Sequence, residues 1–355
     1  MLLKGLACGL FVAVAVAACG ASTPPRTSGP SDGSVTSTSE PGLTSVGTWD
    51  FEESMVQVGS RPPELPARLL VPDVEGEEKR SPVPAVVLVS NVGPSDRDGT
   101  VLARTPISDF AEALAASGMA ALSYDNRFLV ELDRLGVRGD VGVADLVTDD
   151  AAAAVRFVAS REGVDPDRIV LVGFGVGGWI LPLVAESVSP AAMVVVSAPA
   201  GKLHEHLVHV ATSEASSDGE VTAEEEEFLR SVRRQAERIE RGGFASDTPP
   251  GELLGLPGRF WEDVASYLPA PAIAGSGIPT LVLTGSRDWE LTAADRRTWR
   301  ELGELEHVDH AELAGLDHHL TDAEVHGSRA DYAAAAAPAP EALDLMIGWI
   351  RGALH

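Results

Sequence analysis

The sequence predicts an α/β protein: a mostly parallel central sheet with helices on both faces, and a helical insertion that caps one edge. Three features predict it. Short, continuous apolar runs such as 85–89 (AVVLV) and 193–196 (MVVV) suit strands buried on both faces. Those runs alternate with segments whose apolar residues recur at helical spacing. A glycine-rich turn, Gly173 to Gly178, joins one strand directly to a helix.

Taken in order, residues 55–59 and 67–71 read as the first two strands, separated by Pro and Gly, and 85–89 as the third. A helix follows, with Thr105 as its cap, Pro106 in its first turn and Gly118 just past its end. The next strand is 119–124. In 145–160, Val147, Ala151, Ala154, Val155 and Val158 share one helical face. Residues 168–172, 193–196 and 280–284 are further strands, and a helix near 179–186 separates the first two of these. Leu343, Met346, Ile347 and Ile350 pin a last helix to the sheet. The alternation breaks over 202–276, which is polar, charged and helical in pattern, and is expected to form the cap. Glu224 to Glu227 reads as the exposed start of one of its helices.

The first eighteen residues have the pattern of an export signal: Lys4, then a nearly uncharged apolar stretch too short to span a bilayer comfortably. Val16-Ala17-Ala18-Cys19 resembles a bacterial lipobox, which makes Cys19 the lipidated first residue of the mature chain. Cys8 would leave with the signal, so no internal disulfide and no thiolate cluster is expected. Residues 19–46 are rich in Ser, Thr, Pro and Gly and read as a disordered tether. The expected location is the outer face of the cytoplasmic membrane. The folded part is then 47–201 with 277–355, carrying the cap 202–276. Acidic residues number 53 against 27 basic ones, which disfavours nucleic acid as a partner.

The segment 168–178 (RIVLVGFGVGG) has the strand–turn–helix shape of a nucleophile elbow, Gly-x-Ser-x-Gly. Gly173 and Gly177 stand at its glycines, and the central position is Gly175. Elsewhere in the chain stand Gly93-Pro94-Ser95-Asp96-Arg97-Asp98 and Tyr124-Asp125-Asn126-Arg127 before the elbow, and Phe260-Trp261, 279–288 (PTLVLTGSRD) and Leu316-Asp317-His318 after it. In this order and spacing the chain resembles the bacterial α/β-hydrolases related to dienelactone hydrolases and serine aminopeptidases, from Trp49 to the C-terminus. The resemblance implies an α/β-hydrolase fold with Asp288 as the acid and His318 as the general base, although His319 competes for that role. In a working triad the acid orients the imidazole, which takes the proton of the serine hydroxyl. Here Gly175 has no side chain to offer. A second departure is Ser90-Asn91 where the family has His-Gly in its oxyanion loop; Val176 N–H is placed as one oxyanion donor, and Asn91 stands where the loop supplies the other.

His204, His206 and His209 invite a metal reading. A zincin pattern needs two histidines four apart around Glu, but Val208 stands at the required position, so no metal is expected. The three are expected to face solvent or the site entrance, and no cofactor is expected. The leading functional expectation is a nucleophile-less hydrolase that binds a small ester-, amide- or peptide-like ligand at the cell envelope. One alternative is an active hydrolase of esters, amides or peptides that uses a relocated nucleophile or water activated by His318. By topology Ser197 is the nearest other hydroxyl. The other alternative is an envelope scaffold that makes protein contacts through its cap.

Overall fold

The computed structural model describes residues 49–73, 82–323 and 327–355. The export signal, Cys19 and the tether lie outside them. Eight strands form one sheet in the order β1-β2-β4-β3-β5-β6-β7-β8. They are β1 (Phe51–Val58), β2 (Leu65–Pro72), β3 (Val83–Val89), β4 (Ala120–Tyr124), β5 (Val164–Phe174), β6 (Ala192–Val196), β7 (Thr280–Gly285) and β8 (Val308–Leu313). The pairs β1–β2 and β2–β4 are antiparallel and every other pair is parallel.

Alternate residues of the central strands supply two cores. Ala85, Val87 and Val89 of β3 and Leu171 of β5 face one side. Val86 and Leu88, with Val170 and Val172, face the other. Helix α1 (Pro106–Ala116) covers the second side, together with the C-terminal helix described below. Thr105 precedes α1 without a side-chain capping bond. On the first side lie α2 (Asp149–Ala159), entered through a π-helical turn at Ala144–Thr148, and α3 (Val176–Val188).

Between β6 and β7 the chain forms α4 (Leu203–Ala215), α5 (Ala223–Glu240), α6 (Gly258–Val264) and α7 (Pro269–Ser276). Thr222 and Glu225 close a reciprocal capping box at the start of α5, and Glu224, Glu226 and Glu227 are exposed there. Leu203, Leu229, Val232, Ile239 and Trp261 join these helices to the first core. Helix α8 (Ala293–Leu302) follows β7, and α9 (Pro340–Ala353) ends the fold, burying Met346, Ile347 and Ile350 against the second core.

Two elements differ from the sequence reading. The first strand begins at Phe51, because its register with β2 runs from Phe51↔Pro72 to Val58↔Leu65 and Glu52 and Glu53 sit on its exposed face. The edge strand β8 went unseen, since VDHAEL leaves only Val308 fully buried and has no apolar run.

The turn after β4 carries a buried ion pair. Arg127 is wholly buried and meets Asp150 of α2 through two hydrogen bonds of 2.8 Å from Nε and Nη2, while Nη2 also reaches the carbonyl of Arg61 and Nη1 that of Pro63. Removing one partner of such a pair leaves an uncompensated charge in the interior. Asp150→Ala is therefore expected to cost about 3–5 kcal/mol, read by chemical denaturation of the folded domain. A loss under about 1 kcal/mol, the value of an exposed pair, would show that Arg127 finds compensation elsewhere.

Candidate active site

Strand β4 lies on one side of β3 and β5 on the other, so the sheet changes winding direction between β3 and β5. In open α/β sheets that switch point opens a crevice at the carboxyl ends of the strands. The loops after β3, β5, β6, β7 and β8 bring Asn91, Gly175, Ser197, Asp288 and His318 to this end.

Gly175 joins β5 to α3 at φ +54° and ψ −123°, a backbone that side-chain-bearing residues seldom adopt. The turn is tight on both flanks. A Cβ on Gly173 would lie 2.6 Å from the Gly177 carbonyl oxygen, and one on Gly177 would lie 2.4 Å from the oxygens of Val89 and Ser90. Glycine at both positions is thus a packing requirement.

Asp288 is fully buried, and its Oδ2 lies 2.9 Å from His318 Nδ1. Its Oδ1 accepts the Glu290 N–H at 2.9 Å. The adjacent Asp317 accepts the amides of His319 and Thr321 and pairs with buried Arg104 at 2.6 Å, which fixes the loop that presents His318. A Cβ on Gly175 would lie 3.5 Å from His318 Nε2, so the imidazole faces the place where a nucleophile would stand.

Residues 135–228 match the Dienelactone hydrolase family. Esterase EstD of Thermotoga maritima is 28% identical over 289 residues, which is 79% of this chain; the chain spans 63% of that protein's length. A puromycin-hydrolyzing peptidase of Mycobacterium tuberculosis superposes with a TM-score of 0.52 at 16% identity, over 86% of this chain and 39% of that one. The acylaminoacyl peptidase of Pyrococcus horikoshii gives 0.51 at 16% identity, over 85% and 42%. The chain has the fold of the α/β-hydrolase superfamily.

In this hydrolase fold two side chains occupy the space that the serine machinery would need. Asn91 Oδ1 accepts the Val176 N–H at 2.8 Å, so the first amide of α3 is engaged by a side chain of the protein itself. The same oxygen lies 2.7 Å from where a Cβ on Gly175 would be. Asn126, in the turn after β4, donates to the carbonyls of Asn91 and Gly93 at 2.7 and 2.6 Å and so holds the loop that carries Asn91.

The second is Glu290, which nothing in the sequence distinguishes from the chain's many surface acids. Its Oε2 is 3.6 Å from His318 Nε2, and its Oε1 accepts the Tyr332 hydroxyl at 3.3 Å. His318 thus stands between two carboxylates. Burial disfavours its cation, but Asp288 and Glu290 outweigh that cost and push its pKa up to about 10. Burial raises the Glu290 pKa, against the attraction of His318. His319 is held neutral by burial, down to about 3, with its ring centroid 4.2 Å from that of Tyr332. The imidazole that would serve as a base is therefore already protonated at neutral pH.

The cap histidines are more enclosed than expected. His204 and His206 are buried, at 2% and 7% exposure, on different sides of α4: His204 lies against Trp261, with ring centroids 6.2 Å apart, and His206 lines the cavity beside Gly175. His209 is half-buried and its Nε2 lies 3.2 Å from the Trp289 carbonyl oxygen. His204, Glu205 and Glu240 come together, but both Glu240 oxygens accept from Lys202 Nζ at 2.7 and 2.8 Å, so an ammonium group already neutralises the cluster.

Ser197, just past β6, is 1% exposed, and its Oγ has no hydrogen-bond partner. With Gly175 and His318 it lines a cavity of about 50 Å³. A larger cavity, about 130 Å³, lies between Gly175 and the cap.

The two carboxylates make a spectroscopic prediction. By NMR titration, the His318 ring is expected to stay imidazolium through neutral pH and to titrate near 10. Asp288, Glu290 and Asp317 favour that charge, while the neighbouring His206 and His319 are neutral at such pH. A raised folded-state pKa contributes stability that is full below the unfolded value of about 6.5 and is lost as pH climbs through the folded one. Stability should accordingly decline between those limits, and Glu290→Gln should bring both the titration and the decline to lower pH. An ordinary histidine titration in the wild type would contradict the two-carboxylate arrangement.

Proposed function

We propose that this protein is a degenerate hydrolase, exported and lipid-anchored through Cys19, that binds a small ligand at the cell envelope and does not turn it over. One observation carries the reading: where the superfamily's chemistry needs an attacking oxygen, Gly175 presents a hydrogen, and Asn91 Oδ1 occupies both the adjacent space and the Val176 amide. Loss of the serine from a working triad typically costs about a millionfold in rate. The proton held on His318 argues likewise against direct activation of water, since an imidazolium cannot accept another.

The apolar cavity beside Gly175 supports binding over a purely scaffolding role. Among the described residues of the cap, the exposed large hydrophobics are Val221 and Leu268, on different segments, which is not the contiguous patch a docking face would need. Among the described residues no helix is long and apolar enough to cross a membrane, so attachment in this reading rests on the lipid. Cys19→Ser is expected to release the protein from the membrane fraction and to abolish incorporation of labelled fatty acid; retention of either would end the lipid-anchor reading.

Ser197 supports a second reading, in which a relocated hydroxyl attacks, because its Oγ is unpartnered and shares a cavity with His318. Serine-directed fluorophosphonate labelling separates the two. On the binding reading the wild type takes no label and does not hydrolyse aryl esters. A label on Ser197, or turnover at ordinary enzyme rates, would overturn it.

Gly175→Ser tests what else has been lost. By itself it should restore little, because its Cβ meets Asn91 Oδ1 and the Val176 amide stays engaged. Adding Asn91→Gly frees that donor, and a lost oxyanion donor costs about 10²–10³ in rate. The double variant should therefore exceed the single one by about a hundredfold. Its activity should rise with pH toward about 10 as His318 gives up its proton, and Glu290→Gln should bring that rise to lower pH.

A further inference from the structure

The cavity between Gly175 and the cap has an uneven lining. Leu207, Val210 and Ala211 of α4 and Phe228 of α5 form its apolar wall. Its ionisable lining consists of Glu214, Glu290 and His206, with no Lys or Arg. His206 is held neutral by burial, with its pKa down to about 4, and brings no positive charge. His318 stands beside Glu290, but Asp288 already engages it at 2.9 Å.

Unmatched acceptors stand beside the same space. At 3.6 Å, Glu290 Oε2 is too far from His318 Nε2 for a hydrogen bond, and the Tyr332 hydroxyl donates to Oε1. His206 is 93% enclosed, given its 7% exposure, and its Nδ1 has no partner. A buried polar atom left unmatched costs roughly 1–3 kcal/mol, so such a group marks a place where a partner is expected. A carboxylate oxygen accepts only, and the neutral imidazole accepts at one nitrogen. Both needs are met by a ligand that donates several hydrogen bonds and carries positive charge.

We infer that this cavity binds a small primary ammonium ion bearing an apolar group, its N–H donors directed to Glu290 and Glu214 and its hydrocarbon part lying against Phe228 and the aliphatic face of α4. The assignment rests on the binding function proposed above and specifies its ligand class. Size agrees with it: about 130 Å³ is close to the roughly 150 Å³ of an apolar cavity that accommodates benzene, so one aromatic ring or a short alkyl chain fits. An aromatic face near the cation adds attraction through the ring quadrupole. The formal net charge of −26 favours the approach of cations generally, although it selects no particular one.

The test uses three probes of nearly equal shape, benzylammonium, benzyl alcohol and benzoate, titrated into the full chain by calorimetry and by the NMR shifts of the Gly175 and Val176 amides. Benzylammonium should bind at least about tenfold more tightly than the alcohol, as charge-assisted hydrogen bonds require, and benzoate should not bind. Glu214→Gln, on the half-buried rim, should weaken the ammonium probe severalfold and leave the alcohol unchanged. Glu290→Gln should weaken it further, with wild-type circular dichroism confirming the fold. Equal or tighter binding of the alcohol or of benzoate would overturn the ammonium assignment while leaving a ligand-binding protein. No shift with any probe would overturn it too, and would remove the cavity as support for the binding reading. Ester turnover, followed separately, would instead sink the binding reading through its chemistry.

Discussion

The left-handed turn at Gly175 is the constraint on which the site depends. It reverses the chain at the end of the central strand within one residue, starts α3 immediately, and leaves the first amide of that helix facing the crevice between β3 and β5. The crowding at Gly173 and Gly177 lets the helix pass this close to the β3 loop. Asn91 can therefore reach the Val176 amide, and His318 arrives opposite the Gly175 α-carbon. The backbone of a hydrolase elbow persists here although its reactive atom does not.

The surroundings of the turn bear on the same chemistry. A triad base must be neutral to accept a proton, and its environment must favour the cation only moderately. Here a second carboxylate stands on the far side of the ring from Asp288, so the cation is the resting state. The missing hydroxyl, the occupied amide and the protonated base each oppose the same chemistry by a different physical route. Tyr332 bonds Glu290 while its ring lies beneath Arg104, the residue that also holds Asp317. The acid and the histidine loop thus share one support.

Much of the fold was legible because central strands of a parallel sheet are apolar on both faces, and residues 85–89 and 193–196 carry that signature without interruption. The elbow, Asp288 and His318 were legible because glycine spacing and chain order are local or ordinal properties. Edge strands fared worse: β8 buries only one of its six residues, and Glu52 and Glu53 near the start of β1 are exposed. Glu290 was invisible since its role depends on β7 and β8 being neighbours, a contact between segments nearly thirty residues apart. The same holds for Asn91, whose side chain meets Val176 only after the sheet has formed. The burial of His204 and His206 depends on what packs around α4, and a polar, mixed helix gives little signal of that.

The φ of +54° at Gly175 also has a thermodynamic side. Holding a residue other than glycine in a sparsely populated backbone region stores about 1–3 kcal/mol, which the rest of the fold must sustain. A chain that exchanges serine for glycine at such a corner relinquishes catalysis and gains folding stability in one step. The reverse exchange is uphill in stability even where it is favourable for chemistry. With glycine at this corner the sharp bend is the relaxed conformation of the residue that occupies it.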